Sequence, residues 1–278
     1  MTVKPIMKWV GGKRELLPEL RKHTPSSFDK ETNTYYEPFI GGGALLFDIL
    51  PHHGVINDSN EELINLYTVV KNDVDSLIKE VSSYPYDKDF YYSIRELDRR
   101  EGFPDFLSDI KRAARTLYLN KTCFNGLYRV NKKGQFNTPF GKHSNPTICK
   151  EDDLKDVSSY FNDNDISIMS GDFAQCVKDA QEGDFVYLDP PYVPLSKTSS
   201  FTSYTKEGFE DCDQKRIKSI IDDLSNNGVY VLMSNSSSPD VFDLYSSDYN
   251  VETVKVARKV NSKAHKRNKI DEFLIKNY

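Results

Sequence analysis

Short apolar segments alternate along this 278-residue chain with segments in which apolar residues recur at helical spacing. Residues 60–71 and 217–224 have the helical spacing. The strand candidates are residues 35–38, 54–57, 166–169, 184–188 and 229–233. This alternation predicts an α/β fold, in which a mostly parallel sheet carries helices on both of its faces.

The alternation is interrupted once, between about residues 73 and 150. Leu107, Ile110, Ala114 and Leu117 are spaced as in a helix, and a loop rich in Gly, Asn and Pro follows without a clear strand. We therefore predict one α/β domain made of residues 1–72 and 151–278, and an inserted helical domain made of residues 73–150. The last segment, residues 250–278, is predicted to form two strands joined by a basic loop.

The basic residues are concentrated in two segments. Residues 111–150 contain nine Lys or Arg, residues 255–269 contain seven, and neither segment contains an Asp or Glu. The net charge of the whole chain is only −5, because the rest of it holds 21 basic against 42 acidic residues. A single charged run usually marks a solvated surface, but two such runs, the first interleaved with aromatic and Asn residues, favour contact with nucleic-acid phosphates.

Several other classes of protein are disfavoured by patterns that the sequence lacks. No apolar run approaches the roughly 18 residues of a membrane span, and residues 1–13 do not have the pattern of a signal peptide. We therefore expect a cytoplasmic protein with no membrane partner. The cysteines, Cys123, Cys149, Cys176 and Cys212, form no CxxC pair, so we expect reduced thiols and no metal site. No pattern places a general base beside Cys123, which argues against a nucleophilic role.

Three weak signals point to a bound cofactor. The segment FIGGG at residues 39–43 follows a strand, and its glycines let a ligand approach the backbone before a helix whose N-terminus favours a carboxylate or phosphate. It does not fit the dinucleotide fingerprint, because Leu46 stands where the third glycine belongs. Asp58 closes the second strand, where it is suited either to accept hydrogen bonds from a ribose or to cap the next helix. Asp172 and Phe173 offer a carboxylate and an aromatic face to an adenine ring.

The strongest signal is DPPY at residues 189–192, directly after an apolar strand candidate. The N6 amine of adenine is a poor nucleophile because its lone pair is delocalised into the ring. Asp189 and the carbonyl of Pro190 can each accept one N–H of that amine, while the two prolines fix the backbone φ. Tyr192 can then stack on the base. In isolation the tetrapeptide also fits a rigid turn, but together with the cofactor signals and the basic segments it predicts methyl transfer to an exocyclic amine.

The chain resembles the Dam-type DNA adenine-N6 methyltransferases, which also occur as partners of GATC restriction systems. The resemblance covers nearly the whole chain. The motifs that carry it are MKWVGGK at 7–13, EPFIGGG at 37–43, FNGLYR at 124–129, FNTPFG at 136–141, DPPYVPL at 189–195 and FLIKNY at 273–278. It implies a Rossmann-like methyltransferase sheet with an inserted helical DNA-recognition domain, S-adenosylmethionine as methyl donor and double-stranded DNA as substrate. It also implies a bacterial or phage-encoded enzyme that does not require a companion restriction endonuclease.

The resemblance also assigns residues to the catalytic and cofactor sites. The residues implied to act on the target base are Asp189, Pro190, Pro191 and Tyr192. The residues implied to surround the cofactor are Trp9, Lys13, Glu37, Phe39, Gly41, Gly43, Asp58, Asp172, Phe173 and Asp189.

By the same resemblance, the insert reads DNA and stabilises a base that has been flipped out of the duplex, a step that costs a few kcal/mol. The residues implied to contact or penetrate the duplex are Lys8, Asn125, Leu127, Arg129, Pro139 and Lys142. Arg129 and Lys142 are the candidates for guanine recognition. The family usually has Arg and Tyr where this chain has Lys142 and His143, and a lysine cannot form the bidentate fork of arginine. GATC is therefore the expected target, with looser discrimination at one base.

Residues 196–205, rich in Ser and Thr, are expected to form a wall that closes on the flipped base. Two alternatives remain open from the residues themselves. An exocyclic-amine pocket of this kind also suits N4 methylation of cytosine or methylation of adenine in RNA. A protein that binds DNA and cofactor without catalysis is the other alternative, although such a protein would have no need of intact Asp189 and Tyr192.

Overall fold

The computed structural model describes residues 2–192, 211–257 and 269–278. The strands in these residues are β1 (Thr34–Glu37), β2 (His53–Asp58), β3 (Asp165–Ser170), β4 (Phe185–Leu188), β5 (Tyr230–Ser236), β6 (Asn250–Ala257) and β7 (Lys269–Lys276). They form one sheet in the order β3-β2-β1-β4-β5-β7-β6. Neighbours from β3 to β5 run parallel, whereas β7 runs antiparallel to both β5 and β6.

Helices connect the strands and cover the sheet. The α-helices in the described residues are α1 (Leu17–His23), α2 (Leu46–Ile49), α3 (Glu61–Asn72), α4 (Val74–Ser82), α5 (Lys88–Arg95), α6 (Asp109–Thr122), α7 (Glu151–Asp163), α8 (Phe173–Cys176), α9 (Asp211–Asn226) and α10 (Pro239–Tyr245). Short 3-10 helices occur at Lys13–Glu15, Glu96–Arg99 and Phe124–Gly126. None of the helices in this part of the chain is long and apolar enough to cross a membrane.

Two apolar cores lie on opposite faces of the sheet. In β1, Tyr35 belongs to the core beneath α3 and α7, whereas its neighbour Tyr36 belongs to the core beneath α9. Successive strand residues point to opposite faces, so consecutive buried tyrosines require cover on both. All four residues of β4 are buried, as expected for a central parallel strand with helices on each side.

The predicted α/β architecture is confirmed. The predicted strands all correspond to strands of the sheet, with bounds that differ by at most three residues. The helix predicted at residues 60–71 is α3, and the side chain of Asn60 caps its N-terminus by accepting a hydrogen bond from the Leu63 amide at 3.0 Å. The two predicted C-terminal strands are β6 and β7, while the basic loop between them, residues 258–268, lies outside the described residues, as do residues 196–205.

The helix expected directly after the glycine segment differs from the prediction. It is α2, a single turn of four residues that starts after Leu45. The chain leaves it through Leu50, which has a left-handed φ of 52°, and Pro51 then prevents further helical hydrogen bonding. A helix this short has little dipole, so the glycine segment must offer its backbone groups to a ligand without that help.

Residues 73–150 pack in two different ways. Leu77 of α4 and Leu117 of α6 lie in the same core as the sheet residues Tyr35 and Ile56. Beyond them, a separate cluster is built around Tyr91, with the residues Tyr118, Leu119, Cys123, Tyr128, Val130 and Phe136. Within the insert, α4 and one face of α6 thus pack against the core of the sheet, whereas the cluster around Tyr91 is separate. The domain boundary at residue 73 stays a prediction.

Candidate active site

The site lies at the carboxyl edge of the parallel strands, where the strand order changes direction. Strands β1 and β4 are adjacent, but the chain continues from β1 to β2 on one side and from β4 to β5 on the other. In open α/β sheets, ligands bind in the crevice outside the strand ends at such a point. Gly41 follows β1, Asp58 ends β2 and Asp189 follows β4, so three predicted site residues meet at this crevice.

The glycine turn after β1 is held by side chains from three directions. Gly41 has a left-handed φ of 46°, and its N–H donates to Asp58 Oδ2 at 3.1 Å. Its carbonyl accepts a hydrogen bond from the Tyr67 hydroxyl at 2.9 Å. A Cβ at this position would lie 2.6 Å from Cδ1 of Trp9, so only glycine fits beneath the indole.

Asp58 binds backbone groups and does not cap α3 through its side chain. Its Oδ1 accepts from the Asn60 N–H at 2.9 Å, while Oδ2 accepts from Gly41. Burial raises the pKa of Asp58 to about 6, and these hydrogen bonds act in the opposite direction. Asp58 therefore links the second strand to the glycine turn.

Glu37, the last residue of β1, is a buried carboxyl group beside this turn. Its Oε2 accepts hydrogen bonds from the Tyr35 hydroxyl at 2.8 Å and from the Leu46 N–H at 3.2 Å. Burial raises the pKa of Glu37 to about 8. Glu37 thus joins β1 to the start of α2.

Two aromatic rings stand beside the crevice. The rings of Phe39 and Phe173 are 5.3 Å apart, and the guanidinium of Arg216 lies 4.7 Å from the centre of the Phe173 ring. Asp172 is exposed, and each of its carboxylate oxygens contacts Arg216 at 2.6 Å. That ion pair holds the pKa of Asp172 below its usual value. The guanidinium that pairs with Asp172 therefore lies over the Phe173 ring, and Phe39 is a second close neighbour of that ring.

Asp189 is fixed through one of its two carboxylate oxygens. Its Oδ1 accepts a hydrogen bond from the Ser234 hydroxyl at 2.9 Å and lies 3.1 Å from Nζ of Lys13. The hydroxyl of Tyr187 lies 2.9 Å from the same Ser234 hydroxyl. Among the described residues, no hydrogen bond to Oδ2 is found, and the side chain retains 20% exposure. One oxygen is thus held, while part of the side-chain surface stays exposed.

Lys13 is the centre of a charged cluster around Asp189. Its side chain is only 7% exposed, and Nζ lies 3.1 Å from Asp189 and 3.3 Å from Glu272 Oε2. Nζ also hydrogen-bonds the hydroxyl of Tyr192 and lies 4.5 Å from the centre of its ring. Burial alone lowers the pKa of Lys13, but the two carboxylates outweigh it and raise the pKa above its usual value. Lys13 is therefore charged in this cluster.

Glu272, Ser234 and Tyr187 belong to this site, although sequence analysis did not identify them. The Tyr192 hydroxyl donates to Glu272 Oε2 at 2.9 Å, across 80 residues of sequence. Ser234 begins a polar triplet at the end of the apolar strand β5, and that abrupt change at the sheet edge was the one signal available for it. For Glu272 no local pattern exists, because its position depends on how β7 pairs with β5.

The predicted DNA-contacting residues lie on and beside one irregular hairpin. Two isolated bridges, Val130 with Phe136 and Cys123 with Phe140, hold the hairpin together. The predicted residues that it carries are Asn125, Leu127, Arg129, Pro139 and Lys142. Asn125, Pro139 and Lys142 are exposed, whereas Leu127 and Arg129 are half-buried. The hairpin thus joins three residues of the FNGLYR motif to Pro139 of the FNTPFG motif and to Lys142.

The N-terminal segment joins this hairpin to the glycine turn. A Cβ at Gly126 would lie 2.7 Å from Cδ of Lys8, so the Lys8 side chain lies directly on the hairpin. The backbone N–H of Lys8 donates to Asn120 Oδ1 at 3.0 Å. Trp9 stacks on Tyr128 at 4.9 Å and also contacts Gly41. Residues 8–13 therefore contact the hairpin, the glycine turn and Asp189 in succession.

Two polar residues of the hairpin have internal partners. Arg129 Nε donates to Asn137 Oδ1 at 2.6 Å. The ring of His143 lies 2.9 Å from the Cys123 carbonyl through Nε2, so it is a packed residue and not a plain surface group. Cys123 is fully buried, and burial raises the pKa of its thiol to about 12. A thiol with that pKa is not suited to act as a nucleophile.

Comparisons with known proteins show the family of this chain. A family model described as D12 class N6 adenine-specific DNA methyltransferase matches residues 9–260. The chain is 46% identical over 280 residues to a type II methyltransferase of Lactococcus lactis subsp. cremoris, covering all of this chain and 96% of that protein. It is 44% identical over 294 residues to a type II methyltransferase of Methanocaldococcus jannaschii, with both proteins fully covered. It is 32% identical over 269 residues to the DNA adenine methylase of Serratia marcescens, covering 96% of each.

The matched residues 9–260 include the glycine turn, the hairpin and the DPPY segment, whereas Lys8 and Glu272 lie outside the match. The predictions of an enzyme and of S-adenosylmethionine as its methyl donor are confirmed by the family. A group of three metal-ligating side chains is not found in residues 2–192, 211–257 and 269–278. The chain belongs to the D12 class N6 adenine-specific DNA methyltransferases.

Proposed function

We propose that the enzyme flips an adenine out of double-stranded DNA, preferably within GATC, and transfers the methyl group to N6 directly, without a covalent enzyme intermediate. The observation that carries this proposal is the geometry of Asp189. One carboxylate oxygen is anchored by Ser234 and Lys13, and the side chain keeps 20% exposure at the switch point of the sheet. A carboxylate held in this way is preorganised to accept a hydrogen bond from an amine.

In the proposed mechanism, Asp189 and the Pro190 carbonyl each accept one hydrogen bond from the target amine. The two acceptors draw the nitrogen toward a pyramidal geometry, which makes its lone pair available. Pro191 restricts the backbone so that the acceptors keep a set angle, and the ring of Tyr192 stacks on the base. The gain in rate comes from positioning and from preorganised charge.

The crevice residues fit S-adenosylmethionine. When bound, this group supplies a methyl on a positively charged sulfur. We assign its binding to the predicted set of residues around the glycine turn: Trp9, Lys13, Glu37, Phe39, Gly41, Gly43, Asp58, Asp172, Phe173 and Asp189. Gly41 brings backbone close to the crevice, and Asp58 offers oxygens at its floor. The aromatic faces of Trp9, Phe39 and Phe173 suit an adenine ring or a sulfonium.

Gly41→Ala is expected to weaken cofactor binding at least roughly tenfold, because the added methyl forces the indole of Trp9 out of contact and strains the turn. Isothermal titration with S-adenosylmethionine measures the effect. Gly134→Ala is the matched control, since Gly134 also has a left-handed φ, of 76°, but a Cβ there meets nothing within 4 Å. Equal affinity in both variants would contradict a role for the turn in cofactor binding.

We propose that the hairpin reads DNA while Lys8 and the basic residues nearby contact phosphates. Lys8, Asn125, Leu127, Arg129, Pro139 and Lys142 form the proposed contact set. Arg129 already donates to Asn137, so its guanidinium is oriented before DNA arrives. Lys142 is exposed and has a single ammonium, which supports looser discrimination at the base it contacts.

Arg129→Ala and Lys142→Ala are expected to relax sequence choice more than they reduce methylation of the preferred site. Each guanine contact contributes about 1–3 kcal/mol of discrimination, so the rate ratio between GATC and single-base variants should fall roughly tenfold or more. Methylation rates on a GATC duplex and on each single-base variant measure the ratio. Lys132→Ala, which changes an exposed lysine at the hairpin tip, should leave it unchanged.

Tritiated S-adenosylmethionine with duplexes that differ at single positions tests the whole proposal. Label in N6-methyladenine of GATC duplexes is the expected result, whereas label in cytosine or RNA, or binding without label, would contradict it. Two relatives are named type II methyltransferases, so we also propose that this enzyme protects DNA against a type II endonuclease. Methylation itself should proceed without any companion protein.

A further inference from the structure

Glu272 occupies an unusual position for a strand residue. It lies in β7, which enters the sheet antiparallel to β5, and it pairs with Ser236 at the carboxyl end of that strand. Because β7 runs antiparallel to β5, the first residues of β7 lie at the same edge of the sheet as Asp189. The next residue, Phe273, points into the core beneath α9, whereas the previous residue, Asp271, is exposed.

One carboxylate oxygen of Glu272 holds two groups of the site at once. Oε2 accepts a hydrogen bond from the Tyr192 hydroxyl at 2.9 Å and lies 3.3 Å from Nζ of Lys13. Lys13 in turn lies 3.1 Å from Asp189. The Glu272 side chain is only 16% exposed, so these contacts are poorly screened by solvent.

We propose that Glu272 is a positioning residue for methyl transfer, which holds the ring of Tyr192 and the ammonium of Lys13 in place beside Asp189. This inference rests on the proposed roles of Asp189 and Tyr192. A tyrosine ring that stacks on a base must present one face at a fixed angle, and its hydroxyl is the natural anchor for that angle. Glu272 supplies the acceptor from outside the DPPY segment.

Glu272 also shares Lys13 with Asp189, which ties it to the charge of the reacting carboxylate. The groups that face Asp189 from the packed elements are Lys13, Glu37, Tyr187, Tyr192, Ser234 and Glu272. Burial raises the pKa of Asp189, Lys13 lowers it, and the negative charge of Glu272 raises it. Removal of that charge should therefore lower the pKa of Asp189, and the acidic limb of the rate profile should move to lower pH.

Glu272→Gln removes the negative charge and keeps the length of the side chain. Glu272→Asp keeps the charge but shortens the side chain. Asp271→Asn is the matched control, because it removes the same charge from the adjacent, exposed residue of the same strand. The single-turnover rate is measured from pH 5 to pH 9 with saturating tritiated S-adenosylmethionine and unmethylated plasmid DNA. Cofactor affinity and thermal unfolding are measured on the same preparations.

We expect both Glu272 variants to lose roughly 10- to 100-fold in single-turnover rate, the cost of a misplaced reacting geometry. Cofactor affinity should stay near that of the parent. The acidic limb should move to lower pH in Glu272→Gln and stay in place in Glu272→Asp, and Asp271→Asn should match the parent throughout.

A parental rate and pH profile in Glu272→Gln would overturn the inference. The inference would also be overturned if the loss of rate matched the loss of folded protein and the acidic limb of the rate profile were the same in every variant. Asp189→Ala on the same DNA separates this failure from that of the proposed function. If Asp189→Ala keeps full activity, the proposed active site is refuted. If Asp189→Ala is inactive while Glu272→Gln is fully active, only the proposed role of Glu272 is refuted.

Discussion

Asp189→Ala should lower the methylation rate by at least about 10²–10³-fold, the loss that follows removal of one preorganised hydrogen-bonding group from a reacting centre. The affinity for DNA should remain largely intact, because the proposed DNA contacts lie on the hairpin and at Lys8. The rate is measured in single turnover with tritiated S-adenosylmethionine, and DNA affinity is measured by fluorescence anisotropy at a fixed salt concentration.

A suitable control is Asp179→Ala, which removes an exposed carboxylate from the loop between α8 and β4 and should leave the rate unchanged. The pairing of Asp189 with Lys13 means that the alanine variant also leaves a buried cation without one partner. Thermal unfolding must therefore accompany the rate measurement. A well-folded Asp189→Ala enzyme with the parental rate would refute the proposed mechanism.

Lys13→Met should have the second largest effect, and it should act on stability and catalysis together. Removal of the ammonium leaves Asp189 and Glu272 as neighbouring carboxylates in a poorly hydrated cluster. Breaking a buried pair in this way costs about 3–5 kcal/mol, and we expect the lower end because Asp189 retains 20% exposure. Urea unfolding at neutral pH measures this loss.

The same change should shift the pH dependence in a defined direction. Burial raises the pKa of Asp189 and Lys13 lowers it, so the pKa of Asp189 rises when the ammonium is removed. The proposed mechanism requires the charged carboxylate, and the acidic limb of the rate profile should therefore move to higher pH. This direction is opposite to the one expected for Glu272→Gln. Lys30→Met, at an exposed lysine before β1, is the control. It should change neither the acidic limb of the rate profile nor the free energy of unfolding.

Local sequence patterns were sufficient to predict most of the sheet. Strand β4 was visible as a continuous apolar run, because a strand covered on both faces must be apolar almost throughout. The other parallel strands were visible as short segments rich in apolar residues. The two C-terminal strands, β6 and β7, were also predicted. The length of α2 was not predicted, since Leu50 adopts a left-handed conformation that is rare for leucine and has no signal in the pattern.

In the insert, the domain boundary predicted from the sequence differs from the way in which the residues pack. The interruption of the strand rhythm after residue 72 predicts a new domain at that point. Leu77 and Leu117 nevertheless lie in the core that covers the sheet, while the cluster around Tyr91 stands apart. Helical periodicity reveals which face of a helix is apolar, but it does not reveal which core that face enters.

The sequence by itself determined the strands, the glycine turn, the DPPY segment and the family, because each is written in neighbouring residues whose chemistry is local. Only the tertiary structure decided which groups surround Asp189. Lys13 hydrogen-bonds Tyr192, which is 179 residues away in the sequence. Glu272 hydrogen-bonds the same tyrosine from 80 residues away, because β7 pairs with β5. Such contacts depend on strand order and direction, which arise from the burial of the whole sheet and leave no trace in the residues next to Asp189.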